Sequence, residues 1–168
     1  MSKTLAMQVI SAVGGVLLLT STATAEDKGV DWSAFQSAKV SLGKGLTAAQ
    51  SKGKPISGKF EIENGKLQLS VYTMSKGKFS EVIVDHASGK VSKSEQIKEG
   101  EDYSEATAQS KAMAKARMSL SAAVAKAVAR NPGYRAVSVV PSLEQGKPVA
   151  TVVLENATGT KATSQKLD

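Results

Sequence analysis

KFEIENGKLQLSVYTMSKGKFSEVIVD, residues 59 to 85, decides the fold. Phe60 and Ile62 alternate with Lys59, Glu61 and Glu63, and Leu67, Leu69 and Val71 alternate with Gln68, Ser70 and Tyr72. A period of two places alternate side chains on opposite faces, as in a half-buried strand. Between the first two runs stands Asn64-Gly65, whose residues tolerate the positive φ that both central positions of a tight type I′ hairpin turn require. Ser75-Lys76-Gly77-Lys78 repeats the signal, and Phe79 to Val84 reads as a third strand ending at Asp85. The spacing therefore predicts a three-stranded antiparallel meander.

Upstream, Trp32, Phe35, Val40, Leu42, Leu46 and Ala49 recur at helical spacing, with Gly43 and Gly45 limiting the segment to short helices. Downstream, Lys93 to Glu101 is polar and reads as a connector. Residues 104–130 lack Gly and Pro and place Met113, Ala116, Leu120, Val124, Ala127 and Val128 at steps of three and four, which predicts a long helix with one apolar face. Asp102 and Glu105 have the spacing of a capping box at its start, and Ser119 can divide it as a local N-cap. Asn131-Pro132-Gly133 stops it. The period of two then returns in Tyr134 to Val140, closed by Pro141, in Val149 to Leu154 and in a polar stretch from Lys161 to Leu167, with turns at 144–147 and 156–159.

The two halves thus follow one script of helix, strand, Gly turn, strand, turn, strand. Ser41-Leu42 matches Ser119-Leu120, Gly53 matches Gly133, Glu63-Asn64-Gly65-Lys66 matches Glu144-Gln145-Gly146-Lys147, Gly77 matches Gly159, and Val84-Asp85 matches Leu167-Asp168. SLSAAVAKAVAR at 119–130, EQGKPVATVVLE at 144–155 and DHASGKV at 85–91 resemble the units of the PepSY family. The resemblance implies an α+β fold of two repeats, each a helix followed by an antiparallel β-meander in a PepSY- or cystatin-like layout, over 26–98 and 99–168. It also implies a non-catalytic, exported or membrane-linked role in restraining peptidases or binding partners at the cell envelope.

Residues 1–25 carry the parts of an export signal: Lys3, an apolar run from Leu5 to about Leu19, and Ala23-Thr24-Ala25 as a cleavage site. Cleavage would leave Glu26 first and a periplasmic or secreted product without a transmembrane segment. Retention of the run as an anchor is the lesser alternative, because it is shorter than the ~20 residues that span a bilayer. With no cysteine, neither disulfides nor a lipidated cysteine are available, so burial alone must stabilise the chain. One Trp, three Tyr and three Phe leave that burial mainly to aliphatic side chains.

The formal charge is +7, but arginines are only Arg117, Arg130 and Arg135. Specific nucleic-acid readers depend on Arg forks and stacked aromatics, and both are scarce. Residues 28–81 hold nine lysines against four acids, and Lys44, Lys52, Lys54, Lys59, Lys66, Lys76 and Lys78 form the candidate surface for an acidic partner.

His86, the single histidine, follows Asp85 and precedes Gly89-Lys90. One histidine without cysteines falls short of a zinc site, and no nucleophile elbow accompanies the pair. The sequence favours a turn in which Asp85 accepts backbone N–H bonds, Ser88 assists and Gly89 supplies positive φ. Gly43-Lys44-Gly45 lacks the spacing of a phosphate loop. Met113 and Met118 read as packing residues, and Glu61 and Glu63 as a solvated face despite their capacity for acid-base work. No catalytic residue, metal ligand or cofactor site is expected. The reading is an exported binding or inhibitory module for a protein partner, with a peptidase as the partner the resemblance implies. The alternatives are a Lys-rich polyanion-binding protein and a hydrolase using Asp85 and His86.

Overall fold

The positive-φ turns set the register of the sheet. The computed structural model describes residues 31–168; the expected export signal at 1–25 and its cleavage site lie outside the described residues. β1 (Lys54–Glu63) and β2 (Lys66–Ser75) are joined by Asn64 and Gly65 at φ 50° and 75°. β3 (Lys78–Val84) follows Lys76 and Gly77 at 49° and 74°. β5 (Arg135–Glu144) and β6 (Lys147–Asn156) are joined by Gln145 and Gly146 at 49° and 80°. Lys76 and Gln145 accept the left-handed conformation at a cost of about 1–2 kcal/mol each, because the two-residue turn matches the strand twist. β7 (Gly159–Lys166) completes the second set.

The segment expected as a connector after Val91 is a fourth strand, β4 (Val91–Ile97), paired with β3 through Phe79↔Ile97 and Val82↔Ser94. Its five central side chains are all exposed, so no apolar alternation marks it. The strands form one antiparallel sheet in the order β4-β3-β2-β1-β5-β6-β7, joined across its middle by Gly58↔Val139 and Lys59↔Ser138. β5 runs through Pro141, where a strand end was expected. Pro141 is opposite Ala150 on β6, while the β1 ladder is confined to Val139 and Ser138, so the missing N–H breaks no bond on that side.

Four helices complete an α+β fold: α1 (Trp32–Phe35), α2 (Leu42–Ala49), α3 (Gly100–Lys115) and α4 (Leu120–Ala129). The long helix expected over 104–130 is two helices. Ala116 leaves the helix at ψ 137°, and the Ser119 hydroxyl accepts the Ala122 N–H at 3.2 Å to begin α4. The break carries the chain around the end of the sheet, since α3 and α4 cover opposite faces. The Asp102–Glu105 capping box does not form. The helix starts three residues earlier than a cap at Asp102 implies, Glu99 makes no side-chain cap bond, and Asp102 sits in the first turn beside Glu101, where a carboxylate meets the positive end of the helix dipole.

α2 buries Leu42, Gly45, Leu46 and Ala49, and α4 buries Leu120, Ala123, Val124 and Ala127, in both cases at steps of three, one and three. This narrow stripe lies on the sheet face that carries Gly58, Leu69, Val71, Val139 and Val152. A β-carbon on Gly58 would come within 3.0 Å of Leu46, and one on Gly45 would enter the Leu69 side chain. α3 lies on the other face, where Gln109 accepts the Ser57 hydroxyl at 2.7 Å and Tyr103 meets Phe79 edge-on at 5.3 Å. Two side chains tie the ends of the sheet. Lys54 Nζ donates to the Met113 carbonyl at 2.8 Å, and Arg135 donates to the Ala38 carbonyl at 2.7 Å while stacking 4.4 Å over Phe35.

Candidate functional site

At the end of β3 the chain forms the turn expected of it. Asp85 Oδ1 accepts the Ser88 N–H at 2.6 Å, the Gly89 N–H donates to the Asp85 carbonyl at 2.7 Å, and Gly89 has φ 77°. The Ser88 hydroxyl and N–H hold the Asp85 carboxyl below its usual pKa. The His86 carbonyl accepts the Lys39 and Val40 N–H groups at 2.9 and 3.0 Å, which fastens this turn to the lead-in of α2. The His86 ring borders a shallow recess of about 470 Å³ with Asp85 and Ser92, and Ser92 donates its hydroxyl to the Ile83 carbonyl at 3.2 Å. Among the described residues, no hydroxyl is hydrogen-bonded to the imidazole, and its Nδ1 has no hydrogen-bond partner.

The candidate lysines do not gather into one patch. Lys44 stands on α2 and Lys59 on the face of β1 opposite α2. Lys66 follows the Asn64-Gly65 turn. Lys52, Lys54, Lys76 and Lys78 collect at the other end of the strands, where Lys54 is opposite Met74 and Lys78 opposite Ser75. Lys54 is engaged with Met113, and Lys59 bridges Glu61 at 2.8 Å. Gly43-Lys44-Gly45 lies in the first turn of α2, where the Lys44 N–H donates to the Ser41 hydroxyl at 3.3 Å and the Gly45 N–H to the Ser41 carbonyl at 3.0 Å, so the segment is a capped helix start and not a glycine-rich loop. Met113 is buried and Met118 packs partly buried against the core, as the packing reading expects.

Glu61 and Glu63 both line a polar cleft of about 490 Å³ on the uncovered half of the α3 face, with Lys59, Tyr72, Glu81 and Asp102. Ser70, fully buried on β2, donates to Glu61 at 2.6 Å and accepts from Gln68 Nε2 at 3.0 Å. Burial raises the Glu81 pKa, and the neighbouring Glu61 and Asp102 carboxylates add to the rise. Burial with the Glu81 and Asp102 charges pushes Tyr72 well above the usual phenol range. Sequence periodicity identified this face only as polar, because Glu81 and Asp102 reach it from separate elements. Among the described residues, no group of three or more His, Asp or Glu side chains is placed to hold a metal ion.

A depression of about 810 Å³ runs between α2 and α4 and opens to solvent. Its floor is Leu42, Val124 and Ala136 and its walls are small residues such as Gly43, Ala48 and Ala125, so two helices of low side-chain volume leave a channel between them. Among the described residues, Lys44 and Arg135 are the charged groups lining it, and no acid does. Neither helix alone signals the groove; only their adjacency creates it. Among the described residues, no helix is long and apolar enough to cross a membrane. No protein-family model, curated protein or solved structure matches the chain.

Proposed function

We propose that this chain is an exported, non-catalytic binding module of two PepSY-like units sharing one sheet, and that the groove between α2 and α4 receives an apolar polypeptide segment bearing an acidic group. The observation that carries the reading is the groove lining: mostly apolar and open to solvent, with Lys44 and Arg135 as its charges. Such a surface offers burial and one charge-selective contact, the requirements of helix-in-groove recognition. The PepSY resemblance makes a peptidase or another cell-envelope protein the expected source of that segment.

Several equivalences support two units. Ser41 and Ser119 cap α2 and α4 alike, accepting from Lys44 N at 3.3 Å and Ala122 N at 3.2 Å. Lys39 and Val40 donate to the His86 carbonyl, as Arg117 and Met118 donate to that of Leu167. The β1–β2 register slips between Pro55 and Ser57, and the β5–β6 register between Ala136 and Ser138. These pairs make Leu167 the counterpart of His86, not of Val84. They also set the Ala157-Thr158 turn against Lys76-Gly77, so Gly159 falls one position past Gly77. With this spacing, Gly58 pairs with its own counterpart Val139, as a two-fold relation through the sheet centre requires.

Binding can be measured by fluorescence anisotropy with a labelled leucine- and alanine-rich peptide ending in aspartate. Ala125→Glu and Lys44→Glu, both at exposed positions, should each weaken binding at least about tenfold. Undiminished binding by both variants would remove the groove from the reading. Binding of phosphatidylglycerol vesicles without the peptide would assign the groove to lipid instead. The polyanion alternative retains Lys52, Lys76 and Lys78 at one end of the sheet, and its sign would be heparin retention that falls steeply with salt.

A further inference from the structure

The β4 edge is complementary to itself, and we propose that two copies of this chain associate through it as antiparallel neighbours in a continuous sheet. The sequence of β4 is Val91-Ser92-Lys93-Ser94-Glu95-Gln96-Ile97. Reversed against a second copy with Ser94 on the two-fold axis, Lys93 is opposite the second copy's Glu95 and Ser92 opposite its Gln96. At the ends, Val91 is opposite Ile97. Each strand thus presents an apolar contact at both ends and two opposite-charge pairs about the centre. Like charges facing one another directly would oppose the pairing.

The hydrogen-bonding phase agrees. The two-residue turn at Lys76-Gly77 makes Ser75 and Lys78 a bonded pair, so Ser80, Val82 and Val84 bond toward β2 while Phe79, Glu81 and Ile83 bond toward β4. The bond from the Ser92 hydroxyl to the Ile83 carbonyl confirms that this carbonyl points to β4. Lys93 and Glu95 therefore turn their amides inward, and Ser94 and Gln96 present theirs outward, while Ser92 is the extra residue where the β3–β4 register slips between Ile83 and Val84. Ser94 is thus the bonded pair on the axis, flanked on either side by the Lys93 and Glu95 positions. Lys93 and Glu95 then fall at non-bonded pairs, where side chains approach most closely. Within one copy they already lie on the same face, 2.8 Å apart and more than half exposed.

The opposite edge lacks this property. The charged residues of β7 are Lys161 and Lys166, so self-pairing there matches no opposite charges. An open strand edge invites pairing, and lysines commonly discourage it; on β4 the alternation of Lys93 with Glu95 replaces that discouragement with a preference for its own copy. A two-fold axis perpendicular to the sheet also places both α2/α4 grooves on one side, which would allow bivalent capture of a partner carrying two segments.

Sedimentation equilibrium of the purified chain at micromolar concentrations and low salt should show a monomer–dimer equilibrium. Lys93→Glu and Glu95→Lys should each weaken it by about tenfold or more, and an equimolar mixture of the two should form a heterodimer. The doubly reversed chain, Lys93→Glu with Glu95→Lys, should dimerise again. Ser94→Pro, which removes an outward N–H and leaves the β3 ladder intact, should be monomeric with an unchanged circular dichroism spectrum. A parent chain that stays monomeric, a dimer indifferent to these reversals, or one broken instead by Lys161→Glu would overturn the proposal.

Discussion

Gly45 has no room for a β-carbon, because Leu69 of β2 fills the space a methyl group would need. At the corresponding place on the second helix, Ala123 and Ala150 are both fully buried, so a larger helix residue there accompanies a smaller sheet residue. The summed volume is shared differently between helix and sheet, as core packing tolerates. Gly45→Ala should therefore destabilise the protein by about 1–3 kcal/mol through overpacking, although Ala exceeds Gly in helix propensity by about 1 kcal/mol. Gly43, two residues away on the same helix, has nothing within 4 Å of its would-be β-carbon. Gly43→Ala should stabilise by about 0.5–1 kcal/mol. Chemical denaturation of both variants checks the contrast, and equal effects of one sign would mean that α2 does not bear on Leu69 as described.

The break between α3 and α4 rests on Ser119, whose hydroxyl is the side-chain acceptor for the Ala122 N–H. Ser119→Ala should cost about 1 kcal/mol and release the Ala122 amide to rapid hydrogen exchange, with α3 unaffected. An Ala122 amide that stays protected would show a continuous helix forming through 116–119. The cap and the hairpin turns were legible in the sequence because each is a local requirement: a hydroxyl for an orphan N–H, or a residue that tolerates positive φ. β4 was not legible, since Ser92 to Gln96 are exposed on both faces and only the ladder with β3 makes them a strand. The groove and the Glu61–Glu81–Asp102 cleft escaped for a related reason. Their residues come from elements far apart in the chain, and no local pattern announces which helix will lie beside which. α2 looked weak for its glycines, yet Gly45 is what lets it approach the sheet.

Whether this chain behaves as one cooperative body depends on what crosses the middle of its sheet. The ladder between β1 and β5 is short, with Gly58↔Val139 and Lys59↔Ser138, so backbone pairing alone would join the halves weakly. Helix packing and the two end ties carry more. α2 lies against α4, α3 from the second half covers Ser57 of the first, Lys54 holds the Met113 carbonyl, and Arg135 holds Ala38 and stacks on Phe35. Each tie joins one half to the lead-in helix of the other, so neither half keeps its native surroundings if the other opens. Denaturant unfolding should accordingly be a single transition. The fluorescence of Trp32, the sole tryptophan, should report the first half with the same midpoint as far-ultraviolet circular dichroism of the whole. Arg135→Met should lower stability by about 1–2 kcal/mol and move both midpoints together, because losing the tie weakens the shared state and not one half alone. Separation of the two midpoints, in the parent or in this variant, would instead show two units that fold on their own and touch only incidentally.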